Sequence, residues 1–261
     1  MLPGSVIPIY SSSQLSYPLG VNQMTTRTAE TSPLVRARVA GLLYLLLVLL
    51  GIFAILYGPT ALIVSGDAIT TAENLMASES LFRLSIVSAL LSQIVGIGVT
   101  LALYQLLKHV DKNMGLLMVI FGLLGMPITM LTELTHFAAL QLLSGAGYLT
   151  IFTTEQLQAL AFLFLDLHGY GLTIAAIFWG LWLFPLGYLV FKSGFLPKIL
   201  GALLIIGCFG YLIDSFGLFL FPDYNLNLAL YTGWSEVIFT LWLVIKGVNT
   251  EQWEKRALAS A

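Results

Sequence analysis

The chain has 261 residues, of which 58% are hydrophobic and only 9% are charged, and its mean hydropathy is +0.93. Soluble domains carry about a quarter charged residues, so this chain cannot cover itself with a polar surface and is expected to fold in a lipid bilayer. The formal net charge of -2 and the lack of a basic patch argue against a nucleic-acid partner. Cys208 is the only cysteine, which excludes an intrachain disulfide and a cysteine metal site.

The first 34 residues differ in composition from the rest of the chain. Residues 1–34 are rich in Ser, Thr and Pro and contain no apolar run typical of a signal peptide. We interpret them as a disordered N-terminal tail. Translation from Met24, which would remove most of this segment, is the alternative.

Six apolar segments follow, each close to the roughly 20 residues that a helix needs to cross a bilayer. They cover residues 38–57, 84–107, 115–140, 168–190, 199–220 and 229–246. The sequence therefore predicts an all-α integral membrane bundle of six transmembrane helices over residues 35–249. Residues 250–261 are expected to form a short cytoplasmic tail.

The basic residues are distributed unevenly between the two sides of this predicted topology. One side carries ten of the eleven Lys and Arg residues, and only Arg83 lies on the other. Cytoplasmic loops are enriched in Lys and Arg, so a location in the cytoplasmic membrane with both termini in the cytoplasm is expected.

Two kinds of repetition suggest that the six helices form three hairpins. The odd-numbered spans begin with "RVAGLL" at 38, "KNMGLL" at 112 and "KILGALL" at 198, although any helix that starts at the cytoplasmic side could begin in this way. The segments "TTAENLMASESLFRL" (70–84) and "TTEQLQALAFLFLDL" (153–167) are also alike. We interpret both as short interfacial helices on the outer face, each before a descending span.

The fourth span poses a length problem. Residues 157–190 are apolar almost throughout and would be roughly 50 Å long as one helix, more than the bilayer core of about 30 Å. A break is therefore predicted at "LHGYG", which contains Gly169 and Gly171. Asp166 would then lie at a helix start, and the repeat aligns it beside Arg83, so a contact between these two residues is expected.

Ionisable side chains within the spans identify a candidate site. Isolated charges in lipid cost roughly 2.5–3.5 kcal/mol each on insertion scales, so such residues should face the interior of the bundle. All of them are predicted to lie in the outer half, which indicates one polar pocket that opens outward. Its expected members are Arg83, Gln93, Glu133, His136, Asp166, His168, Asp214 and Glu236.

Each member also has a structural interpretation. Glu133 and His136 have the spacing of one Glu-x-x-His half-site, but a di-metal centre needs two, so a local hydrogen bond is the favoured interpretation. Asp166 is expected to cap a helix, and Asp214 and Glu236 could simply bond neighbouring helices. No cofactor is predicted; a metal ion, if one binds, would use His136, His168 and Asp214.

Several segments together resemble one family, in order, between about residues 37 and 249. They are "ARVAGLLYLL", "GDAITTAENLMASESLFRL", "LFLDLHGYG", "KSGFLPKILG", "GYLIDSF", "FPDY" and "LWLVIKGVN". The chain resembles the prokaryotic multi-pass membrane family known as domain of unknown function 4386. The resemblance implies a mainly helical integral membrane protein, and it carries over no catalytic residue. Asp166, His168 and Asp214 fall within these segments, whereas Glu133 and His136 fall between them.

Three functions are compatible with these features. The first is the binding or transport of a small solute or lipid in an outward-facing pocket, where a homodimer would supply the additional helices that transporters usually have. The second is an intramembrane metal-dependent hydrolase of lipids that uses His136, His168 and carboxylates. The third is a non-catalytic sensor or assembly component. No nucleotide-binding, serine-hydrolase or zinc-protease motif is present.

Overall fold

The computed structural model describes residues 32–221 and 223–260, and these residues form helices without any strand. The predicted N-terminal tail lies, up to residue 31, outside the described residues. The helices are α1 (Pro33–Tyr57), α2 (Pro59–Leu62), α3 (Ala68–Ala77), α4 (Glu79–Leu107), α5 (Lys112–Leu143), α6 (Thr154–Ser193), α7 (Lys198–Leu220), α8 (Leu228–Thr232), α9 (Trp234–Ile245) and α10 (Thr250–Ala259).

The six spans predicted from the sequence are confirmed. Six helical segments are long and apolar enough to cross a membrane: Pro33–Leu62, Glu79–Leu107, Lys112–Leu143, Thr154–Ser193, Lys198–Leu220 and Leu228–Ile245. Large apolar side chains such as Leu49, Leu131 and Phe209 are more than half exposed on these helices. An exposed apolar surface of this extent suits contact with lipid rather than with water.

The predicted break in the fourth span is wrong. α6 runs without interruption from Thr154 to Ser193 and contains both Gly169 and Gly171. A capping box of Thr153 and Gln156 starts the helix, so the predicted interfacial helix at 153–167 is the first part of α6. Breaking a helix in lipid would leave backbone groups without hydrogen bonds, which costs more than letting a long helix extend beyond the bilayer core.

The other predicted interfacial helix exists as a separate element. α3 begins where the carboxylate of Asp67 accepts a hydrogen bond from the backbone N–H of Thr70 and ends at Ser78, directly before α4. The same residue, Thr70, donates its hydroxyl to Asp67, and these bonds lower the pKa of Asp67. Leu75 and Phe82 are fully buried and pack in a small core with Leu140 and Leu165 of α5 and α6.

Close helix pairs position the site residues. α5 packs along α6 most extensively, followed by α7 along α6 and α1 along α4. Because α7 packs much less against α9 than along α6, the three-hairpin arrangement stays a prediction. α5 and α6 approach each other closely at Gly171, because a Cβ there would lie 2.5 Å from Thr132 Oγ1. This approach brings one face of α6 within hydrogen-bonding reach of α5.

The segment expected to be a short tail forms α10, which docks on the bundle. Trp253 is 5% exposed, and its indole N–H donates to the carbonyl of Leu106 at 2.8 Å. The guanidinium of Arg36 lies 5.6 Å from the Trp253 ring, and the ring of His109 packs edge-on against it. α10 therefore ties the start of α1 to the α4–α5 turn.

Candidate functional site

A central cavity of about 350 Å³ lies inside the bundle. All six spanning segments contribute to its wall, and the lining residues include Tyr44, Gln93, Met126, Trp179, Tyr211 and Glu236. Ile52 and Ile55 of α1 also line it, and they are 46% and 56% exposed, so the cavity reaches the surface of the bundle beside α1.

The carboxylate of Glu236 is held in place by two phenols. Tyr211 Oη donates a hydrogen bond of 3.0 Å to Glu236 Oε1, and Tyr44 Oη donates to Glu236 Oε2. Tyr44 is itself fixed, since it is 1% exposed and contacts Trp182 and Phe239 edge-on. Glu236 remains partly accessible and faces the cavity, so its carboxylate can accept further hydrogen bonds from a ligand.

The rest of the cavity wall is largely apolar. Leu47, Val48 and Val99 contribute aliphatic surface, and the indoles of Trp179 and Trp182 contribute aromatic surface. Gln93 donates to Ser92 Oγ at 2.9 Å and supplies the amide on this wall. Among the described residues that line the cavity, Glu236 is the only one with a carboxylate, so this part of the chain forms an apolar cavity with one acidic group.

A second, smaller group of polar residues joins α5 to α6. His136 Nδ1 lies 3.1 Å from Glu133 Oε2, and His168 Nε2 lies 3.0 Å from Glu133 Oε1. The two imidazole rings stack with their centroids 3.3 Å apart, and Phe82 packs edge-on against His136. All three polar residues are at most 5% exposed, and they form the one cluster of possible metal ligands found among the described residues.

Asp214 has a structural role at the start of α8. Its carboxylate accepts hydrogen bonds from the backbone N–H groups of Leu228, at 2.9 Å, and Ala229, at 2.6 Å. Tyr224 donates its hydroxyl to the same carboxylate, and this bond raises the pKa of Tyr224 to about 12. Asp214 is not part of the cluster of Glu133, His136 and His168. A metal ion bound by the two histidines would therefore have Glu133, and not Asp214, as its carboxylate ligand.

The predicted contact between Arg83 and Asp166 is wrong. Arg83 Nε bonds Glu79 Oε1 at 2.7 Å, one turn earlier in the same helix. Asp166 is exposed and forms no ion pair with any residue in the described part of the chain. The reason is the uninterrupted course of α6, which places Asp166 within a helix instead of at its start.

The eight predicted site residues therefore fall into separate groups. Gln93 and Glu236 line the central cavity, Glu133 joins His136 and His168, and the remaining three lie apart: Arg83, Asp166 and Asp214. Sequence reasoning missed Tyr44 and Tyr211, which hold Glu236. Each of them is a tyrosine in an apolar span. A buried hydroxyl needs a hydrogen-bond partner, so the sequence could have indicated a polar neighbour for each.

The fold and these paired polar groups indicate a multi-pass helical membrane protein. The chain matches the sequence profile of the family described as domain of unknown function (DUF4386) over residues 39–247, and it belongs to that family. The membership expected from the sequence motifs is thus confirmed. An "Uncharacterized protein" from Archaeoglobus fulgidus is 39% identical over 165 residues, which are 62% of this chain and 83% of that relative. No solved structure matches the chain significantly.

Proposed function

We propose that the protein binds a small amphipathic cation in its central cavity, either to carry it across the membrane or to retain it there. The observation that carries this proposal is the apolar cavity to which all six spans contribute and in which Glu236 is the one acidic group that the described residues supply. Ligand pockets of proteins are typically about 300–1,000 Å³, mostly apolar, with a few fixed polar groups, and the cavity meets each criterion.

The chemistry of the wall supports a cationic ligand. Tyr44 and Tyr211 donate hydrogen bonds to Glu236, and neither phenol brings a positive charge into the cavity. A bound ammonium group would supply that charge. The indoles of Trp179 and Trp182 can stabilise the same group through cation–π interactions, worth about 2 kcal/mol when water is excluded.

The surface opening supports entry from the side of the bundle. Ile52 and Ile55 line the cavity and also face outward on α1, where lipid tails would pack. An amphipathic molecule dissolved in the bilayer could enter between these side chains with its apolar part leading. Because the opening is apolar, a strongly hydrated solute would be a poor ligand.

A cavity-filling variant tests this proposal. A Cβ at Gly51, which lines the cavity, would meet no atom within 4 Å, so Gly51→Leu can fill the space without displacing the backbone. The matched control is Gly169→Leu, since a Cβ at Gly169 likewise meets no atom within 4 Å and Gly169 does not line the cavity. Glu236→Gln removes the charge and keeps the shape.

The measurement is thermal stabilisation of the full chain in lipid nanodiscs by a series of alkylammonium ions, with the corresponding alcohols as neutral analogues. A ligand at 100 times its dissociation constant stabilises the folded state by about 2.7 kcal/mol. We expect this stabilisation in the wild type and in Gly169→Leu, and its loss in Gly51→Leu and Glu236→Gln. Equal stabilisation in all four proteins, or none by any ammonium ion in the wild type, would contradict the proposal. Uptake into proteoliposomes then distinguishes transport from binding.

A further inference from the structure

We propose that Glu133, His136 and His168 form a binding site for one divalent transition-metal ion, Zn²⁺ or Fe²⁺. The site is separate from the central cavity, because none of these three residues lines that cavity. A failure to bind metal would therefore leave the proposed binding of a cation in the central cavity unaffected.

The three side chains already converge. One ligand atom from each lies within 4.8 Å of the other two. Ligands on a tetrahedral ion with bonds of about 2.0–2.1 Å lie roughly 3.3 Å apart. The present distances of 3.0 and 3.1 Å, from the two oxygens of Glu133 to one nitrogen of each imidazole, are close to this value.

The carboxylate of Glu133 has no permanently charged side chain as a partner among the described residues. Each imidazole presents one ring nitrogen to a different oxygen of the Glu133 carboxylate. No lysine or arginine pairs with Glu133 among the residues that the structure describes. A divalent ion would supply the missing positive charge.

One buried nitrogen also lacks a partner. His136 Nε2 has no hydrogen-bond partner in the described structure, and the residue is 3% exposed. Because Nδ1 of the same ring faces Glu133, neither neutral tautomer nor the protonated ring satisfies Nε2. If the His136 ring rotated towards a metal ion, its hydrogen bonding would change and one ring nitrogen would bind the ion through its lone pair.

The ligand set narrows the choice of metal. Two imidazoles and one carboxylate are the ligands of zinc sites that keep a fourth position open, and of non-haem Fe(II) sites. Mg²⁺ and Ca²⁺ prefer sites built from oxygen ligands. The structural reason for the convergence is Gly171, one turn after His168, where α6 lies against Thr132 of α5.

Metal content of the purified full-length protein is the direct test. We expect about one equivalent of Zn²⁺ or Fe²⁺ by mass spectrometry, and elemental identity distinguishes the two. The metal-stripped protein should regain one equivalent when either ion is added, Fe²⁺ under anaerobic conditions. Glu133→Gln and His168→Gln should weaken binding at least roughly 10-fold, since changes even outside the ligand shell can cost that much. His109→Gln, which lies outside the cluster, is the matched control and should bind like the wild type.

A spectroscopic readout keeps the test valid if a ligand variant fails to fold. Co²⁺ added to the stripped wild type should give visible absorption bands of a site with nitrogen and oxygen ligands, and Zn²⁺ should displace it. Less than a tenth of an equivalent of metal in the wild type, with no Co²⁺ bands, would overturn the proposal and leave a hydrogen-bonded Glu–His cluster only.

Discussion

Gly187 of α6 and Gly201 of α7 lie so close that a Cβ on either one would overlap the other's carbonyl oxygen. The distances would be 2.7 Å from Gly187 and 2.5 Å from Gly201, and in both cases the obstacle is backbone. Small residues at such contacts let membrane helices approach and pack without a hydrophobic driving force. α7, which carries Tyr211, depends on this contact for its position against α6.

Gly187→Ala should destabilise the protein by about 1–3 kcal/mol, the usual cost of forcing extra atoms into a packed interior. The backbone of α7 cannot move away locally, so the helices must separate. Gly169→Ala is the matched control, because the same new methyl group meets nothing within 4 Å there and should stabilise by about 0.5–1 kcal/mol. Thermal unfolding in detergent measures both. A Gly187→Ala protein as stable as Gly169→Ala would refute this close contact between α6 and α7.

The phenols that hold Glu236 should also contribute to stability. Tyr211→Phe removes the 3.0 Å bond to Glu236 Oε1 and leaves the carboxylate with one donor fewer, so a loss of about 1–3 kcal/mol is expected. Tyr231→Phe, whose side chain is 70% exposed, should change stability by less than about 0.5 kcal/mol. Thermal unfolding in detergent compares the two variants.

A double-mutant cycle identifies the partner. If Tyr211 acts through Glu236, the effects of Tyr211→Phe and Glu236→Gln should be non-additive by at least about 0.5 kcal/mol. Strict additivity would mean that the phenol stabilises α7 by another contact.

Much of the fold could be predicted because lipid imposes strict demands on composition. The six spans follow from runs of apolar residues, and the Glu133–His136 bond follows from the i, i+3 spacing on a helix. The course of α6 could not be predicted by matching its length to the bilayer. Gly169 and Gly171 indicate a break in a soluble chain, but in α6 they remain helical.

The hydrogen bonds between residues far apart in the chain could not be predicted from the sequence. Tyr44 and Glu236 are 192 positions apart, and nothing local indicates that α1 and α9 are neighbours. The position of a residue along its helix can be counted from the sequence. Which neighbouring helix its side chain faces depends on the order of the helices around the bundle. For this reason similar predicted depths suggested one pocket, whereas the polar residues divide between neighbouring helix pairs.

The bond from Tyr224 to Asp214 predicts a titration at high pH. The pKa of Tyr224 is raised to about 12 from its usual 10.0, so the bond contributes stability in full below pH 10.0. That contribution is lost as the pH rises through about 12, because the phenolate can no longer donate to the carboxylate. Subtracting the ultraviolet pH titration of Tyr224→Phe from that of the wild type isolates this tyrosine. Asp214→Asn should return its pKa towards 10.0, and an unchanged pKa would show that Asp214 is not the cause.

Docking of α10 should depend on one indole. Trp253→Phe keeps a buried ring but loses the 2.8 Å bond to the Leu106 carbonyl, which is worth about 1 kcal/mol. Local opening of α10 should then increase about fivefold, and hydrogen–deuterium exchange of its amides measures this change. Trp234→Phe is the control, since Trp234 is 64% exposed. Equal exchange in the two variants would argue that α10 is held by other contacts, such as the 3.2 Å hydrogen bond that Arg256 donates to the carbonyl of Val110.

The orientation in the membrane remains a prediction from the basic residues. We expect the end that carries α10 to face the cytoplasm, because nine of the ten Lys and Arg residues in the described part of the chain lie there and resist translocation. Cys208 is buried, so Cys208→Ala provides a background without reactive thiols. In that background, Ile151→Cys and Glu254→Cys place exposed thiols at opposite ends of the bundle. A membrane-impermeant maleimide should label Ile151→Cys on intact cells and Glu254→Cys only after lysis. The reverse pattern would place Arg83 and the opening beside Ile55 towards the cytoplasm, and a ligand would then enter from the cytoplasmic leaflet of the bilayer.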